Sequence, residues 1–301
     1  MTLKAALRSM RFRTLPLSLS GIVAGVLLAV ADYHVRPLVV VFLVLTTVSL
    51  QILSNLCNEL GDTLHGTDRA DREGIRYSLQ DGEMGIGDMK VLIAGAVAAC
   101  LVFGTVLVRC TFGTLFSAQA LAFLVLGACA IVSAMRYTLG RNPYGYRGLG
   151  DIYVLLFFGL ATVLGGYYLC AGEIGSWQLL LLALSIGLFS VAVLNVNNLR
   201  DIKTDAATRV TVAIRLGVRG ARIYQTVLIS VAWGCAVAFC LLRTPDFRHW
   251  IFFLTLPLYV LHLRGVWTRE GSALDPMLPL LVVSTFLFAA LFGLGFVMYL
   301  F

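Results

Sequence analysis

Asp, Glu, Lys and Arg are absent from nine long stretches of the chain, at 14–31, 37–58, 91–108, 110–135, 152–172, 174–199, 223–242, 249–263 and 276–301. A helix needs about 17–25 residues to cross the hydrocarbon of a bilayer, and eight of the stretches meet that length unaided. The stretch 249–263 is short, and it reaches span length when Arg248 and Arg264 extend from its two ends into the interfaces. Only helices and closed barrels satisfy their backbone polar groups inside lipid. The pattern therefore predicts an all-α integral membrane protein of nine transmembrane helices, a single membrane-embedded domain over 1–301. It is expected to divide into two pseudo-repeats, about 10–150 and 151–270, followed by the ninth helix.

Composition agrees: 59% of the 301 residues are hydrophobic and 13% are charged, against roughly 25% charged in soluble domains. The sign of the charge adds direction. With the N-terminus in the cytoplasm, every Lys and Arg except Arg36, Arg109, Arg243 and Arg248 falls on the cytoplasmic side, as the positive-inside rule requires. The C-terminus is then outside, and the formal charge of +7 is mostly a topology signal. Nucleic acid is not expected as a partner, because the basic residues sit in short loops beside the membrane. Lys4, Arg8, Arg11 and Arg13 ahead of an apolar run, with Ala29-Val30-Ala31 behind it, imitate a cleavable signal peptide. Cleavage there would put the next charged loop on the wrong side, so the segment is read as the first helix.

The acids are not spread evenly. Half of the 16 lie between Glu59 and Asp88, and Asp201 and Asp205 follow the sixth run. Asn58 and Asp62 share an Asn-x-x-x-Asp spacing with Asn197 and Asp201, and Asp205 adds another step of four, which reads as an internal repeat. Steps of four stack side chains on one face of a helix. Each motif thus offers a short ladder of oxygen ligands at a helix end. Mg²⁺ takes oxygen ligands and is commonly held by one or two carboxylates plus substrate phosphates, so two facing ladders are suited to a diphosphate held through bridging metal. Cations follow both: Arg69, Arg72 and Arg76 after the first, Arg200, Lys203 and Arg209 around the second. The planar fork of arginine matches phosphate oxygens. The third cytoplasmic segment, YTLGRNPYGYRGLGD at 137–151, reads either as an interfacial turn or as a wall presenting Tyr144, Tyr146 and Arg147, since aromatic faces stabilise a developing cation.

The seven cysteines contain no CxxC pair and mostly lie in apolar runs, where a thiol packs as a small hydrophobe. The four histidines are too scattered for a zinc site.

In RTLPLSLSGIVAG (13–25), NELGDTLHGTDRADREGIRYSLQDGEM (58–84), NPYGYRGLGDIYVLLFFG (142–159), NVNNLRDIKTD (195–205) and AIRLG (213–217) the chain resembles the UbiA superfamily of membrane prenyltransferases. Within it the chain is most similar to the branch acting on 1,4-dihydroxy-2-naphthoate, by Gly66-Thr67-Asp68 and by Tyr144 to Asp151. The resemblance implies a cytoplasmic active site in the inner membrane. It implies Mg²⁺ on Asn58, Asp62, Asp68, Asn197, Asp201 and Asp205, with Arg72, Arg76, Tyr144, Tyr146, Arg147, Arg200, Lys203 and Arg209 around the substrates. The reaction implied is transfer of a polyprenyl chain from its diphosphate to the naphthoate ring with loss of CO₂, giving demethylmenaquinone in its quinol form. Two positions depart from the pattern: Glu59 stands where the family usually has Asp, and the stretch 206–211 is one residue short, with Arg209 where Lys is common.

Two other readings share these features. A 4-hydroxybenzoate or haem-modifying prenyltransferase would carry the same ladders, and the 137–151 segment argues against both. A cation or proton transporter would place its ionisable groups near the bilayer midplane, whereas here they lie at helix ends beside arginines.

Overall fold

The computed structural model of the chain describes residues 2–66, 76–206, 208–243 and 246–298. Among these residues nine helices are long and apolar enough to cross a membrane: α1 (Leu3–Asp32), α2 (Pro37–Leu64), α3 (Ile86–Phe112), α4 (Ala118–Arg136), α5 (Gly150–Ala171), α6 (Leu179–Arg200), α7 (Val212–Leu242), α8 (Phe247–Thr268) and α9 (Gly271–Val297). Their number and order are those the charge-free stretches predict, and the protein is an all-α, multi-pass membrane protein. Asp68, Arg69 and Arg72 lie outside the described residues.

Several helices run past their uncharged cores. α3 takes in Asp88 and Lys90, and α7 begins early enough to carry Arg215, Arg219 and Arg222. The connection after α6 is therefore only 201–211, shorter than the charge pattern suggests. Long side chains at a helix end reach water while their backbone stays helical, so charge marks where lipid ends and not where the helix does.

Local breaks shape the bundle. In α1 the Thr2 side chain caps a first segment, Leu3–Met10, which stops at Arg11 in the left-handed region (φ 52°) before Leu15–Asp32 begins. α8 opens as a 3₁₀ helix over Phe247–Thr255 and becomes α-helical at Leu256. Pro257, in the first turn of that α-helix, has no N–H to donate back into the preceding segment. α5 is π-helical over Leu155–Ala161.

The centre is held by close crossings at glycine. A Cβ on Gly25 of α1 would lie 2.6 Å from Val163 O of α5. One on Gly159 of α5 would lie 2.6 Å from Ala183 O and 2.7 Å from the Gly187 Cα of α6. Small residues let backbones approach this closely within membranes. α6 is the most enclosed of the nine helices and α4 the least. Phe189, Trp233, Phe252, Tyr259, Phe288 and Phe292 interlock between α6, α7, α8 and α9. On the other side of α6 lies a cavity of ≈ 630 Å³ lined by residues from α1 to α6 and α9, with apolar walls and a polar head.

Candidate active site

The first ladder lies in the last two turns of α2. Asn58 and Asp62 both line the cavity. Gly61 lets Thr138 approach the helix, for a Cβ there would lie 2.5 Å from the threonine side chain. Thr138 Oγ1 donates to Cys57 O at 2.8 Å and lies 3.4 Å from Asn58 Oδ1, which anchors the amide. Tyr146 donates its phenol to Asp62 Oδ1 at 2.7 Å.

Glu59 points elsewhere. One residue on from Asn58 is a rotation of about 100° around a helix, which turns Glu59 to the first segment of α1. There its Oε1 accepts from Ser9 Oγ at 3.2 Å and from Leu79 N at 2.9 Å. The departure from the family pattern therefore falls on a buried residue that ties α1 and the loop after α2 together, outside the cavity lining.

The second ladder survives the end of α6. Asp201 N donates to Asn197 O, Asp205 N to Asp201 O, and Arg209 N to Asp205 O, so the step of four continues through the turn Ile202–Asp205. Arg200 forks onto Asp201, with Nε 2.7 Å from Oδ1 and Nη2 2.6 Å from Oδ2. It also donates to Asn197 Oδ1 at 3.1 Å and to Asp275 Oδ1 at 2.9 Å.

Arg209 joins the two ladders. Its Nη2 donates to Asp205 Oδ1 at 2.9 Å, its Nε is 2.8 Å from Asp205 Oδ2, and its Nη1 is 3.9 Å from Asp62 Oδ1. The guanidinium also lies 5.6 Å from the centre of the Tyr146 ring, and Val210 N donates to Tyr146 O at 3.0 Å, so the tyrosine segment and Arg209 are fastened together. Burial works against the charge on Arg209, but Asp62 and Asp205 more than offset it and hold its pKa above the ordinary arginine value. Burial pushes the Tyr137 phenol up to about 12, opposed by Arg209, and also raises Tyr144.

The remaining expected residues separate into two groups. Tyr144 lines the cavity, stacked on Tyr153 with ring centres 3.8 Å apart. Asn197 and Arg200 line it as well. Tyr146, Asp201 and Asp205, held by Asp62, Arg200 and Arg209, are outside the lining, and so are Arg76, Lys203 and Arg147. Arg76 pairs with Asp81 at 2.8 Å on an exposed loop, where Arg8 also holds Asp81 at 2.7 Å. Lys203 is exposed beside a separate small pocket, and Arg147 is exposed, its backbone bridged to Val210. Cavity residues that escape the motif reading include Arg11, Arg13, Tyr77, Tyr137, Tyr153 and Asp275. Arg11 stacks 3.5 Å from the centre of the Tyr77 ring and Arg13 donates to the Tyr77 phenol. Among the described residues no carboxylate is within ion-pair distance of Arg11 or Arg13. The left-handed turn at Arg11, which nothing in the sequence marks, brings these two cations to the cavity head.

The donor set at the head is all oxygen, which suits Mg²⁺. Among the described residues no three Asp, Glu, His or Cys side chains form a ready metal cage, so an ion there would complete its shell with phosphate oxygens and water. An amphiphile with an anionic head and an apolar tail matches the cations and apolar side chains that line the cavity.

The chain belongs to the UbiA prenyltransferase family, whose sequence model it matches over residues 18–276, and it is a membrane-embedded transferase. It is 41% identical over 295 residues to the 1,4-dihydroxy-2-naphthoate octaprenyltransferase of Escherichia coli (strain K12), covering 97% of this chain and 94% of that one. In fold it is similar to the apo structure of a UbiA homologue from Aeropyrum pernix K1, with a TM-score of 0.70, 15% identity, and 97% and 99% of the two chains covered. A UbiA homologue from Archaeoglobus fulgidus bound to GPP and Mg²⁺ superposes with a TM-score of 0.66 at 15% identity, over 98% and 99% of the chains.

Proposed function

We propose that this chain transfers a polyprenyl group from its allylic diphosphate to 1,4-dihydroxy-2-naphthoate, with loss of diphosphate and CO₂, from the cytoplasmic side of the cell membrane. The observation that carries the reading is the joining of two Asn/Asp ladders, 139 residues apart in sequence, through Arg209, beside an apolar cavity that Asn58, Asp62 and Asn197 line. The choice of acceptor rests on the 41% identical Escherichia coli relative named above.

Asn58, Asp62, Asn197, Asp201 and Asp205 would hold Mg²⁺, with Asp68 as a further candidate. When bound, it would neutralise the charge that grows on the departing diphosphate. Arg11 and Arg13 add cations for an anionic head group, and the apolar walls receive the prenyl chain. As the allylic C–O bond breaks, its electron pair leaves with the diphosphate. Tyr137, Tyr144 and Tyr153 present aromatic surface to the cationic carbon and help to keep water from it. The acceptor ring forms the new C–C bond at the carbon bearing its carboxylate. Loss of that group as CO₂ returns the electron pair to the ring.

Membranes containing the protein, given Mg²⁺, a polyprenyl diphosphate and naphthoate labelled in its carboxyl carbon, should release labelled CO₂ in step with prenylated product. A product that keeps its carboxylate, or a preference for 4-hydroxybenzoate, would overturn the acceptor assignment. A cysteine placed at position 66 in a background without reactive thiols should be labelled by an impermeant maleimide from the cytoplasmic face alone. Labelling from outside would overturn the orientation.

A further inference from the structure

A buried chain of hydrogen bonds crosses four helices outside the cavity and has no part in the chemistry above. Asn195 of α6, two residues before Asn197, donates from Nδ2 to Ala221 O at 3.0 Å and to Gln225 Oε1 at 2.8 Å, both on α7. Gln225 Nε2 is 2.9 Å from His262 Nε2 of α8, and His262 Nδ1 is 3.0 Å from Met277 O at the start of α9. A carboxamide nitrogen only donates and a backbone carbonyl only accepts. The two histidine contacts are thus both made when the imidazole is neutral with its proton on Nδ1, which gives the chain one direction, with a backbone carbonyl at each end.

Asn195, Gln225 and His262 are each at most 1% exposed. Polar groups at such depth in a membrane bundle are costly unless paired, and an all-apolar contact would join the same helices. The chain's far end explains its place. Met277 is two residues past Asp275, whose carboxylate takes Arg200 Nη1 at 2.9 Å, while the rest of that guanidinium grips Asn197 and Asp201. The path therefore leaves α6 at Asn195, passes through α7 and α8 to the start of α9, and returns to α6 at the ladder. Arg222, one turn before Gln225 on α7, fastens the end of α8 by donating to Val266 O and Arg269 O at 3.0 and 2.9 Å. At the ladder end of the bundle His262 carries the path onward to α9, while Arg248 joins the opposite ends of α8 and α9 by donating to Met298 O at 2.6 Å.

We propose that Asn195, Gln225 and His262 are positioning residues that fix Asp275 and, through Arg200, the geometry of the second ladder. This rests on the ladder's reading as a metal and diphosphate site. The test is the affinity of the purified, full-length protein for Mg²⁺–geranyl diphosphate, measured by calorimetry without acceptor, for His262→Leu, Asp275→Asn and the double variant, with thermal unfolding alongside. His262→Leu should weaken binding roughly tenfold, as loss of a supporting shell around a metal site commonly does. The double variant should bind about as weakly as the weaker single one, because the two changes act on one path. His262→Asn, whose Nδ2 can still donate to Met277 O, should recover most of the binding even where its unfolding temperature stays low. Unchanged affinity in His262→Leu and His262→Asn, or additive losses in the double variant, would overturn the proposal and leave the site standing. Absence of binding by the wild-type protein would overturn the reading of the ladders, and this inference with it.

Discussion

Replacing Arg209 by Gln should take from Asp205, which is 1% exposed, the guanidinium that holds both of its carboxylate oxygens. At an effective dielectric constant of about 20, two unit charges attract by about 6 kcal/mol at the 2.8 Å separating Arg209 from Asp205, and by about 4 kcal/mol at the 3.9 Å to Asp62. Much of this is offset by the cost of desolvating the guanidinium, which disappears in the variant. Breaking a buried pair by removing one member costs about 3–5 kcal/mol, a large share of the 5–15 kcal/mol that typically holds a domain folded. Asp62 should suffer less, because Tyr146 still donates to it. Thermal unfolding of purified protein in chelator should therefore begin at a clearly lower temperature for Arg209→Gln than for wild type. Mg²⁺ with pyrophosphate should narrow the gap, since the divalent cation then supplies the missing positive charge between the ladders. Prenyl transfer should fall as well. A variant that unfolds at the wild-type temperature in chelator would refute the view that Arg209 neutralises the two ladders.

Asp62→Ala and Asp201→Ala should each insert and purify normally yet lose turnover by at least about 100-fold, the upper end for disrupting a metal's surroundings; near wild-type rates at saturating Mg²⁺ would count against the ladder. Gly25→Ala should destabilise the bundle by about 1–3 kcal/mol, because its Cβ would be driven against Val163 O. Gly127→Ala on α4, where a Cβ meets nothing within 4 Å, should instead be neutral or stabilising by up to about 1 kcal/mol, and thermal unfolding of the pair separates these outcomes. The Tyr137 phenol is raised from 10.0 to about 12. Its contribution to stability is present below pH 10 and is lost as pH rises from 10 towards 12, so wild type should lose stability over that range faster than Tyr137→Phe. Parallel unfolding curves for the two proteins would remove Tyr137 as the cause.

The uncharged stretches determine nine helices because hydrocarbon tolerates neither ionised side chains nor unpaired backbone, and that condition acts on each stretch alone. The ladders are equally legible: a step of four places Asn58 over Asp62, and Asn197 over Asp201, wherever the rest of the chain lies. Direction beyond one helix is not legible. Arg200 and Arg209 turn into the site while Arg76 and Lys203 turn away, although all four flank the two ladders. Which way each side chain faces depends on helix phase and on partners far off in sequence, such as Asp275 for Arg200 and Tyr146 for Asp62. Arg11 reaches the cavity only through a left-handed turn that its residue type does not favour, and Asn195, Gln225 and His262 form a path only once α6, α7, α8 and α9 are packed. Local chemistry thus settles what each segment is, and the packing of distant helices settles which charges meet.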